Sequence, residues 1–346
     1  MNPTIKDVAE KAGVSLSTVS LVINRKKNVS EQMVRKVQRA IVDLNYHPRR
    51  TAQGLASKRT GNIGFILSDN HFSRAEPFYT KIFLGSEFEA RNHNYYILLT
   101  TVQDKSNRKT IPRFLLERNV DGVIVAGKVP ATLLDIMQDY QLPILFIDYL
   151  PSKDIGKYSA VLIDNEDGAL QAVSYLIKLG HEKIAFIAGD IKHPSIRSRF
   201  EGYKKAIINS DIAFNENLIV CDEPYTAAIN GYNAMCKLFR IRHEFTAIFA
   251  ANDAMAFGCL KCLKEKAIKV PEDVSLVGFD DVDIANQMEP HLTTIRVNKE
   301  EIGAIAVKNI VDMIVNVKKT VGKVYVPVDL IIRSSTLSRS NMNQID

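Results

Sequence analysis

Residues 12–24 (AGVSLSTVSLVIN) place hydroxyl side chains and two leucines on the outer side of a stretch whose spacing predicts a helix. Its other apolar residues can face a core, but Leu16 and Leu21 fall on the polar side that should meet water. Hydroxyl groups can bind phosphate oxygens, and a leucine can pack on the methyl group of thymine. The stretch therefore has the chemistry of a surface that reads duplex DNA, with Leu16, Ser17 and Leu21 expected at base edges.

Three short helices are predicted to position that surface. The first covers Ile5–Ala12 with Thr4 as its cap, and Gly13 supplies the left-handed residue that ends it. Ser15 caps the second helix and Ser30 the third. A short helix, a turn with glycine and a second short helix form the helix-turn-helix pattern, in which the second helix enters the major groove.

The first sixty residues carry the positive charge that such a surface needs. They hold twelve Lys or Arg and four Asp or Glu, a net charge of +8, although the whole chain carries only +6. A segment this basic is expected to dock on a polyanion. The hydroxyls that would position the phosphates are those of Thr4, Ser15, Thr18 and Ser30. The alternatives are a solvated basic surface and a three-helix bundle that only binds a protein partner.

Composition argues against several other classes of protein. The amino terminus has no apolar signal segment, and no apolar run approaches the roughly 18–20 residues of a membrane span. The four cysteines are few and mostly far apart, which does not fit a disulfide scaffold. We therefore expect a cytoplasmic protein that binds no membrane.

Residues 46–61 form a linker by composition, with one possible helix at 50–57. After this linker the pattern of apolar residues changes from helical to alternating strands and helices. Apolar segments of strand length then recur, with helical patterns between most of them. They lie at 62–68, 95–101, 122–127, 143–148, 183–189, 246–251 and 274–280. Apolar strands that alternate with helices indicate parallel sheets covered on both faces. Because the units are too many for one compact sheet, we predict two α/β lobes.

Both parts of the chain resemble one family. "TIKDVAEKAGVSLSTVSLVIN" and the segment up to "GNIGF" resemble the DNA-binding head of the LacI/GalR family of bacterial transcriptional repressors. "DGVIVAG", "LGHEKIAFIAG", "TAIFAANDAMAFG" and "VPEDVSLVGFDD" follow in the order of the family's periplasmic-binding-protein-like core. The resemblance covers almost the whole chain, and its amino-terminal motif is highly specific.

The resemblance implies a multidomain protein: an all-α helix-turn-helix head and an α/β periplasmic-binding-protein-like core of two parallel-sheet lobes. The expected boundaries are a head at 1–46, a hinge at 47–61 and a core at 62–340. Lobe one would cover about 62–162 and 294–323, and lobe two about 163–293 and 324–340. The family also implies a homodimer on a pseudo-palindromic operator. The carboxyl tail lacks a leucine heptad, which favours a dimer over a coiled-coil tetramer.

The resemblance also extends the set of DNA contacts. The hinge of the family folds as a helix in the minor groove, where a leucine wedges into the central base step, and the matching residue is Leu55. The other DNA-binding positions expected are Ser20, Asn24, Tyr46, Arg50, Ala52 and Lys58. Many members carry Arg or another polar residue in place of Leu21, so the operator preference of a relative does not transfer.

An effector pocket between the lobes is the second site that the resemblance implies. The matching residues are Phe78, Asp148, Tyr149, Arg199, Asn252 and Asp280. Carboxylates, a guanidinium, an amide and an aromatic face suit a polyol, so a sugar is expected; a nucleoside, a nucleobase or a partner phosphoprotein are alternatives. Each residue also has a structural alternative: Asn252 and the aspartates as caps, Arg199 as a surface charge, Phe78 as core.

Other chemistry is not supported by the sequence. Residues 122–129 (GVIVAGKV) nearly match a phosphate-binding loop, but Val129 replaces the hydroxyl that holds magnesium. Cys259 and Cys262 have no second pair to complete a zinc site, and no calcium-type loop surrounds Asp280. We expect no enzyme activity, no metal and no cofactor. A sugar-binding protein or an enzyme on the same core is the distant alternative.

Overall fold

The computed structural model describes residues 3–23, 29–47, 59–69, 78–103, 111–151, 158–241, 244–316 and 322–342. The chain divides into two compact units. One comprises Met1–Asn62 with Asn119–Asp121, and the other comprises Ile63–Arg118 with Gly122–Asp346.

The smaller unit contains the three predicted helices: α1 (Ile5–Ala12), α2 (Leu16–Ile23) and α3 (Glu31–Asp43). Thr4 and Asp7 form the predicted capping box of α1, and Gly13 ends it with a φ of 63°. Val8, Val19 and Val37, one from each helix, are fully buried in a common core. The helix-turn-helix prediction is therefore confirmed.

The larger unit contains a six-stranded sheet. We call this sheet and the helices that pack on it the six-stranded lobe. Its strands are β1 (Asn62–Ser68), β2 (Tyr96–Val102), β3 (Gly122–Ala126), β4 (Ile144–Ile147), β5 (Ser159–Ile163) and β11 (Lys323–Val326), in the order β11-β5-β4-β3-β1-β2. Its helices are α4 (Phe78–Asn92), α5 (Arg113–Leu116), α6 (Ala131–Asp139) and α11 (Lys299–Asn316). Within this sheet, the neighbouring strands β11, β5, β4, β3 and β1 pair in parallel.

A four-stranded parallel sheet forms the four-stranded lobe. Its strands are β6 (Ile184–Gly189), β7 (Ile219–Glu223), β8 (Ala247–Ala250) and β9 (Ser275–Val277), in the order β7-β6-β8-β9. Its helices are α7 (Asn165–Lys178), α8 (Pro194–Asn209), α9 (Ala228–Ile241) and α10 (Asp253–Glu265). Phe186 and Phe249 pack towards α7 and α8, whereas Ile187 and Ile248 pack towards α9 and α10. Both faces are therefore covered, as parallel sheets require.

A pair of strands, a short helix and two 3-10 turns complete the described fold. Strands β10 (Thr294–Val297) and β12 (Val328–Ile331) pair antiparallel, and α12 (Arg339–Met342) follows. Short 3-10 turns cover Glu216–Leu218 and Asp283–Asn286.

The seven predicted strands are present, with ends that shift by up to three residues. The structure adds β5, β7, β10, β11 and β12 among the described residues. Each added strand contains at least one polar or exposed residue, which breaks or shortens the continuous apolar run by which buried parallel strands are recognised. The predicted fold class, an all-α head with an α/β core of two parallel-sheet lobes, is confirmed.

Candidate functional site

The outer face of α2 presents the two leucines that the sequence singled out. Leu16 is 44% exposed and Leu21 is 38% exposed, whereas Val19 on the opposite face is fully buried. Ser17 is exposed and Ser20 is partly exposed. The helix therefore offers an apolar and hydroxyl-bearing surface that the packing of the head does not consume.

The hydroxyls around the helix starts have local partners. The amide of Thr18 donates to Ser15 Oγ at 3.1 Å, and the Ser15 hydroxyl lies 2.7 Å from Ser17 Oγ and 2.9 Å from Thr18 Oγ1. Ser30 Oγ accepts a bond from the amide of Met33 at 3.4 Å. These residues are helix caps first, and their remaining hydrogen-bonding capacity faces solvent.

The capping box of α1 carries an acid. The Thr4 hydroxyl and amide both donate to Asp7 Oδ2, at 2.8 and 2.6 Å. These two bonds, the backbone one first, hold the pKa of Asp7 below its usual value. Thr4 therefore sits beside a negative charge.

One predicted DNA contact lies in an unexpected place. Tyr46 is buried in the core of the head, packed with the cluster that includes Val8 and Val37. Most of its side chain is used in this packing, and its contact with DNA stays a prediction. The positions Asn24, Arg50, Ala52, Leu55 and Lys58, and the possible helix at 50–57, lie outside the described residues.

In the larger unit, Asp148 lies at the carboxyl end of β4 and bonds to both lobes. Its Oδ2 accepts a hydrogen bond from the Tyr79 hydroxyl at 3.2 Å, and its Oδ1 accepts one from Ser195 Oγ at 3.0 Å. Tyr79 belongs to α4 of the six-stranded lobe and Ser195 to α8 of the four-stranded lobe. A buried carboxylate thus joins the two lobes.

Arg199 is a buried residue rather than a surface charge, with 5% exposure. Its Nε donates to Asn165 Oδ1 at 2.7 Å, its Nη1 to the Ala251 carbonyl at 2.5 Å and its Nη2 to Asp280 Oδ1 at 3.4 Å. The guanidinium carbon lies 3.7 Å from the centroid of the Phe279 ring, a cation–π arrangement. The guanidinium is therefore fixed in one orientation.

Asp280 and Asp281, directly after β9, adopt backbone angles that are rare for residues other than glycine. Their φ values are 107° and 50°. Such conformations cost on the order of 1–3 kcal/mol each and persist where the surroundings impose them. Burial raises the pKa of Asp280, and the positive charges of Arg199 and Lys299 oppose that shift. Asp280 is thus a buried carboxyl held on a strained turn.

The remaining predicted residues surround these groups in different ways. Asn252 caps α10 through a 2.9 Å bond from the Met255 amide, so the alternative role weighed for it is present. Phe78 is buried and makes an edge contact with Tyr79, with ring centroids 5.1 Å apart. Tyr149 is partly exposed, its ring centroid is 6.3 Å from that of His193, and burial raises its pKa.

The charges of Asp148, Asp280 and Arg199 all act on the hydroxyl of Tyr79. Burial raises the pKa of Tyr79 well above its usual value, and Asp148 and Asp280 raise it further while Arg199 lowers it. The structure thereby brings the two predicted aspartates and the arginine around one buried phenol. An arrangement of fixed donors and acceptors beside aromatic rings can bind a ligand rich in hydroxyl groups.

Sequence reasoning missed several side chains of this cleft, namely Tyr79, Asn165, His193, Ser195 and Lys299. Ser195 could have been predicted from the sequence, because it lies four residues before Arg199 on α8 and so shares a face with it. His193 Nδ1 is buried and has no hydrogen-bond partner in the described part of the chain. Burial, the largest influence, lowers the pKa of His193, while Asp148 opposes the shift.

Three structural findings concern metal sites, membrane spans and the cysteines. In the described residues, no group of three His, Cys, Asp or Glu side chains could hold a metal ion, and no helix is long and apolar enough to cross a membrane. Cys259 and Cys262 are buried, and Cys262 Sγ lies 3.3 Å from Cys236 Sγ on α9.

Two family models match the chain. The model of bacterial regulatory proteins of the lacI family matches residues 4–49, and the periplasmic binding protein-like domain matches residues 173–336. A curated relative, the HTH-type transcriptional repressor PurR of Pasteurella multocida strain Pm70, is 32% identical over 340 residues, which is 97% of this chain and 99% of that protein.

Solved structures show the same similarity over both units. The lac repressor dimer bound to operator and the anti-inducer ONPF is 29% identical, with a TM-score of 0.81, over 97% of this chain and 100% of that one. A complex of the transcriptional regulator CelR with cellobiose is 30% identical, with a TM-score of 0.71, over 96% of this chain and 99% of that one.

Proposed function

The chain belongs to the lacI family of bacterial regulatory proteins, and on that premise we propose that it is a homodimeric repressor whose effector is a carbohydrate. That the protein is a DNA-binding transcriptional repressor modulated by a small ligand follows from its relatives. The chemical class of the effector and the residues that bind it are our proposal. The core would bind this effector without turning it over.

The single observation that carries the proposal is the convergence of Asp148 and the Arg199–Asp280 pair beside aromatic side chains. Asp148 bonds to a phenol and a serine hydroxyl. Sugar hydroxyls are chemically equivalent partners and could replace these bonds one for one. The proposed effector contacts are Phe78, Asp148, Tyr149, Arg199, Asn252 and Asp280. The CelR complex, which holds cellobiose, supports this class of ligand.

The proposed DNA-reading surface is the outer face of α2. Leu16, Ser17 and Leu21 would meet base edges, with Ser20 beside them and Thr4, Ser15, Thr18 and Ser30 near phosphates. The exposure of both leucines supports this role, because a leucine on an otherwise polar face has no packing reason to be there. Leu55 would wedge into the minor groove from the hinge at 47–61.

The proposed dimer rests on exposed apolar side chains of the six-stranded lobe. Leu84 and Phe88 on α4, and Tyr96 and Leu99 on β2, are exposed. Among the described residues, β2 is an end strand of its sheet, and an end strand is a position at which another chain can pair. An exposed group of large apolar residues marks a protein interface.

We keep the proposed head at 1–46 and core at 62–340.

A thermal-shift screen tests the proposed effector class. The wild-type protein would be scanned with mono- and disaccharides, and in parallel with nucleosides and nucleobases. We expect a sugar to raise the melting temperature, and we expect Asp280→Ala and Arg199→Ala to abolish that shift. Asp283→Ala is the matched control, because this acid lies in the same segment but is largely exposed. A shift with nucleosides alone would contradict the carbohydrate proposal.

A DNA-binding titration tests the head. Phosphate contacts release counterions, so affinity for duplex DNA should fall steeply as salt rises. A protein indifferent to duplex DNA at low salt would contradict the role of α2.

A further inference from the structure

Lys299 is a buried cation at the first residue of α11. It is 5% exposed, and its ammonium donates to the carbonyl oxygen of Asp280 through a short bond and to those of Asp281 and Val297 at 3.3 Å. A buried charge is costly unless it is hydrogen-bonded. An ammonium has three donors, and here three carbonyl oxygens receive them.

Two of those carbonyls belong to adjacent residues that both have left-handed backbone angles. Asp280 and Asp281 have φ values of 107° and 50°. A residue other than glycine stays in this region only when neighbouring groups hold it there. Lys299 reaches the carbonyl side of this turn.

Other parts of the chain hold the amide side of the same turn. The Asp280 amide donates to the Ile295 carbonyl at 2.8 Å, the Asp281 amide to Thr294 Oγ1 at 3.4 Å, and the Val282 amide to Asp253 Oδ2 at 2.9 Å. These partners lie on β10 and α10. Lys299 supplies the complementary support from a helix of the other lobe.

Helix α11, which carries Lys299, is held in place by close packing on α4. Helix α11 packs on α4, and the two helices approach so closely that a Cβ at Gly85 would sit 2.0 Å from the Glu300 carbonyl oxygen. A Cβ at Gly303 would likewise sit 2.0 Å from the Ile82 carbonyl oxygen. Lys299 therefore extends from a fixed helix end to the turn that carries Asp280.

We propose that Lys299 is a positioning residue of the effector site, which fixes the turn at Asp280–Asp281 and thereby aims the Asp280 carboxylate at Arg199. The distance from Arg199 Nη2 to Asp280 Oδ1 is 3.4 Å, so a small change in the turn breaks or makes this contact. The importance of that aim rests on the proposed effector site. The turn itself can be measured without any effector.

The charged groups that face Lys299 come from three elements. Asp280 and Asp281 lie on the turn, Asp253 on α10 and Lys81 on α4. Burial lowers the pKa of Lys299, and the three carboxyls oppose that shift. After deprotonation the neutral amine has two N–H donors for three carbonyls, so the turn loses part of its support at alkaline pH.

Residue-resolved amide hydrogen exchange of the full chain tests the proposal, with Lys299→Met compared against wild type. Met keeps the length of the side chain and removes its donors. We expect exchange at Asp281 and Val282 to rise about tenfold, the effect of losing a charge-assisted hydrogen bond. Lys81→Met is the matched control, because Lys81 also reaches this segment, through a partly exposed 2.5 Å contact with Asp283. That control should leave both amides unchanged.

Two further measurements separate positioning from general stabilisation. Lys299→Gln keeps two N–H donors and should restore part of the protection. Protection of the two amides, corrected for intrinsic exchange, should fall more steeply in wild type than in Lys299→Met as the pH rises through the pKa of Lys299. The titration of Asp253, which accepts the Val282 amide, is common to both proteins and cancels in this comparison. Unchanged exchange in Lys299→Met, an equal effect of Lys81→Met, or a rise spread over the whole chain would overturn the proposal. A failed sugar screen with these results intact would overturn only the proposed effector.

Discussion

The proposed DNA-reading surface of α2 and the proposed effector cleft of the core are built in opposite ways. On α2 the proposed contacts lie within six positions of each other, and Leu16 and Leu21 are exposed. In the cleft the contacts come from Asp148, Arg199 and Asp280, which are buried and bonded to neighbouring groups. The first surface can change without disturbing the fold, whereas the second is also a structural element. A substitution should therefore alter recognition alone on α2, but recognition and stability together in the cleft.

The largest expected effect is that of Arg199→Ala on the stability of the core. It leaves Asp280 buried without its guanidinium and removes the bonds to Asn165 and Ala251. Removal of one partner of a buried ion pair costs about 3–5 kcal/mol. Urea unfolding should show that loss, and Arg197→Ala, an exposed arginine on the same helix, should change stability by less than about 0.5 kcal/mol. Equal effects of the two variants would remove the distinction between cleft and surface.

The next effect is a pH dependence that belongs to the cleft. Asp253 is fully buried at the start of α10, and burial, with Asp280 nearby, raises its pKa from 3.8 to about 8. The folded protein therefore holds a proton that the unfolded chain releases between those values. Its contribution to stability is fully present below pH 3.8, falls by up to about 1.4 kcal/mol per pH unit, and is lost above pH 8.

Asp253→Asn isolates this contribution, because an amide does not titrate in that range. Unfolding free energies measured by urea at a series of pH values should decline in wild type relative to the variant across the window. The difference between wild type and variant should have no slope above about pH 8. If the unfolding free energies of wild type and Asp253→Asn change in parallel from acid to neutral pH, the Asp253 carboxyl is already ionised in the folded protein.

The same contrast explains how much the sequence could predict. The caps of α1 and α3, the stop at Gly13 and the exposure of Leu16 follow from residues a few positions apart, and all were predicted. The helix–strand pattern of the core was predicted for the same reason. Local pattern determines elements, and elements determine the fold class.

The bonds within the cleft could not be predicted in this way. Ser195 bonds to a carboxylate 47 positions away and Tyr79 to the same one 69 positions away. Lys299 holds a turn whose strain is visible only in its backbone angles. Periodicity carries no information on such pairs, because they join segments that are far apart in the sequence. The burial of Tyr46 in the core of the head was likewise not predicted, because its position was assigned by resemblance alone.

The smallest expected effect on stability, and the sharpest on recognition, is that of Leu21→Arg. Leu21 is 38% exposed, so its replacement should leave the melting temperature of the protein unchanged. An arginine there could donate two bonds to guanine, whereas leucine can only pack on a thymine methyl. Selection of bound duplexes from a random pool should therefore shift one base pair in each half-site from thymine towards guanine, a discrimination of about 1–3 kcal/mol.

Leu21→Met is the control for this selection, because it keeps an apolar side chain of similar size and should keep the thymine preference. A guanine preference in both variants, or in neither, would mean that Leu21 does not meet a base edge. A loss of stability in Leu21→Arg comparable with that of Arg199→Ala would break the comparison itself, because the leucine would then be part of the packing of the head. A change in base preference without a change in stability is what separates a recognition surface from a cleft whose binding residues also hold the fold together.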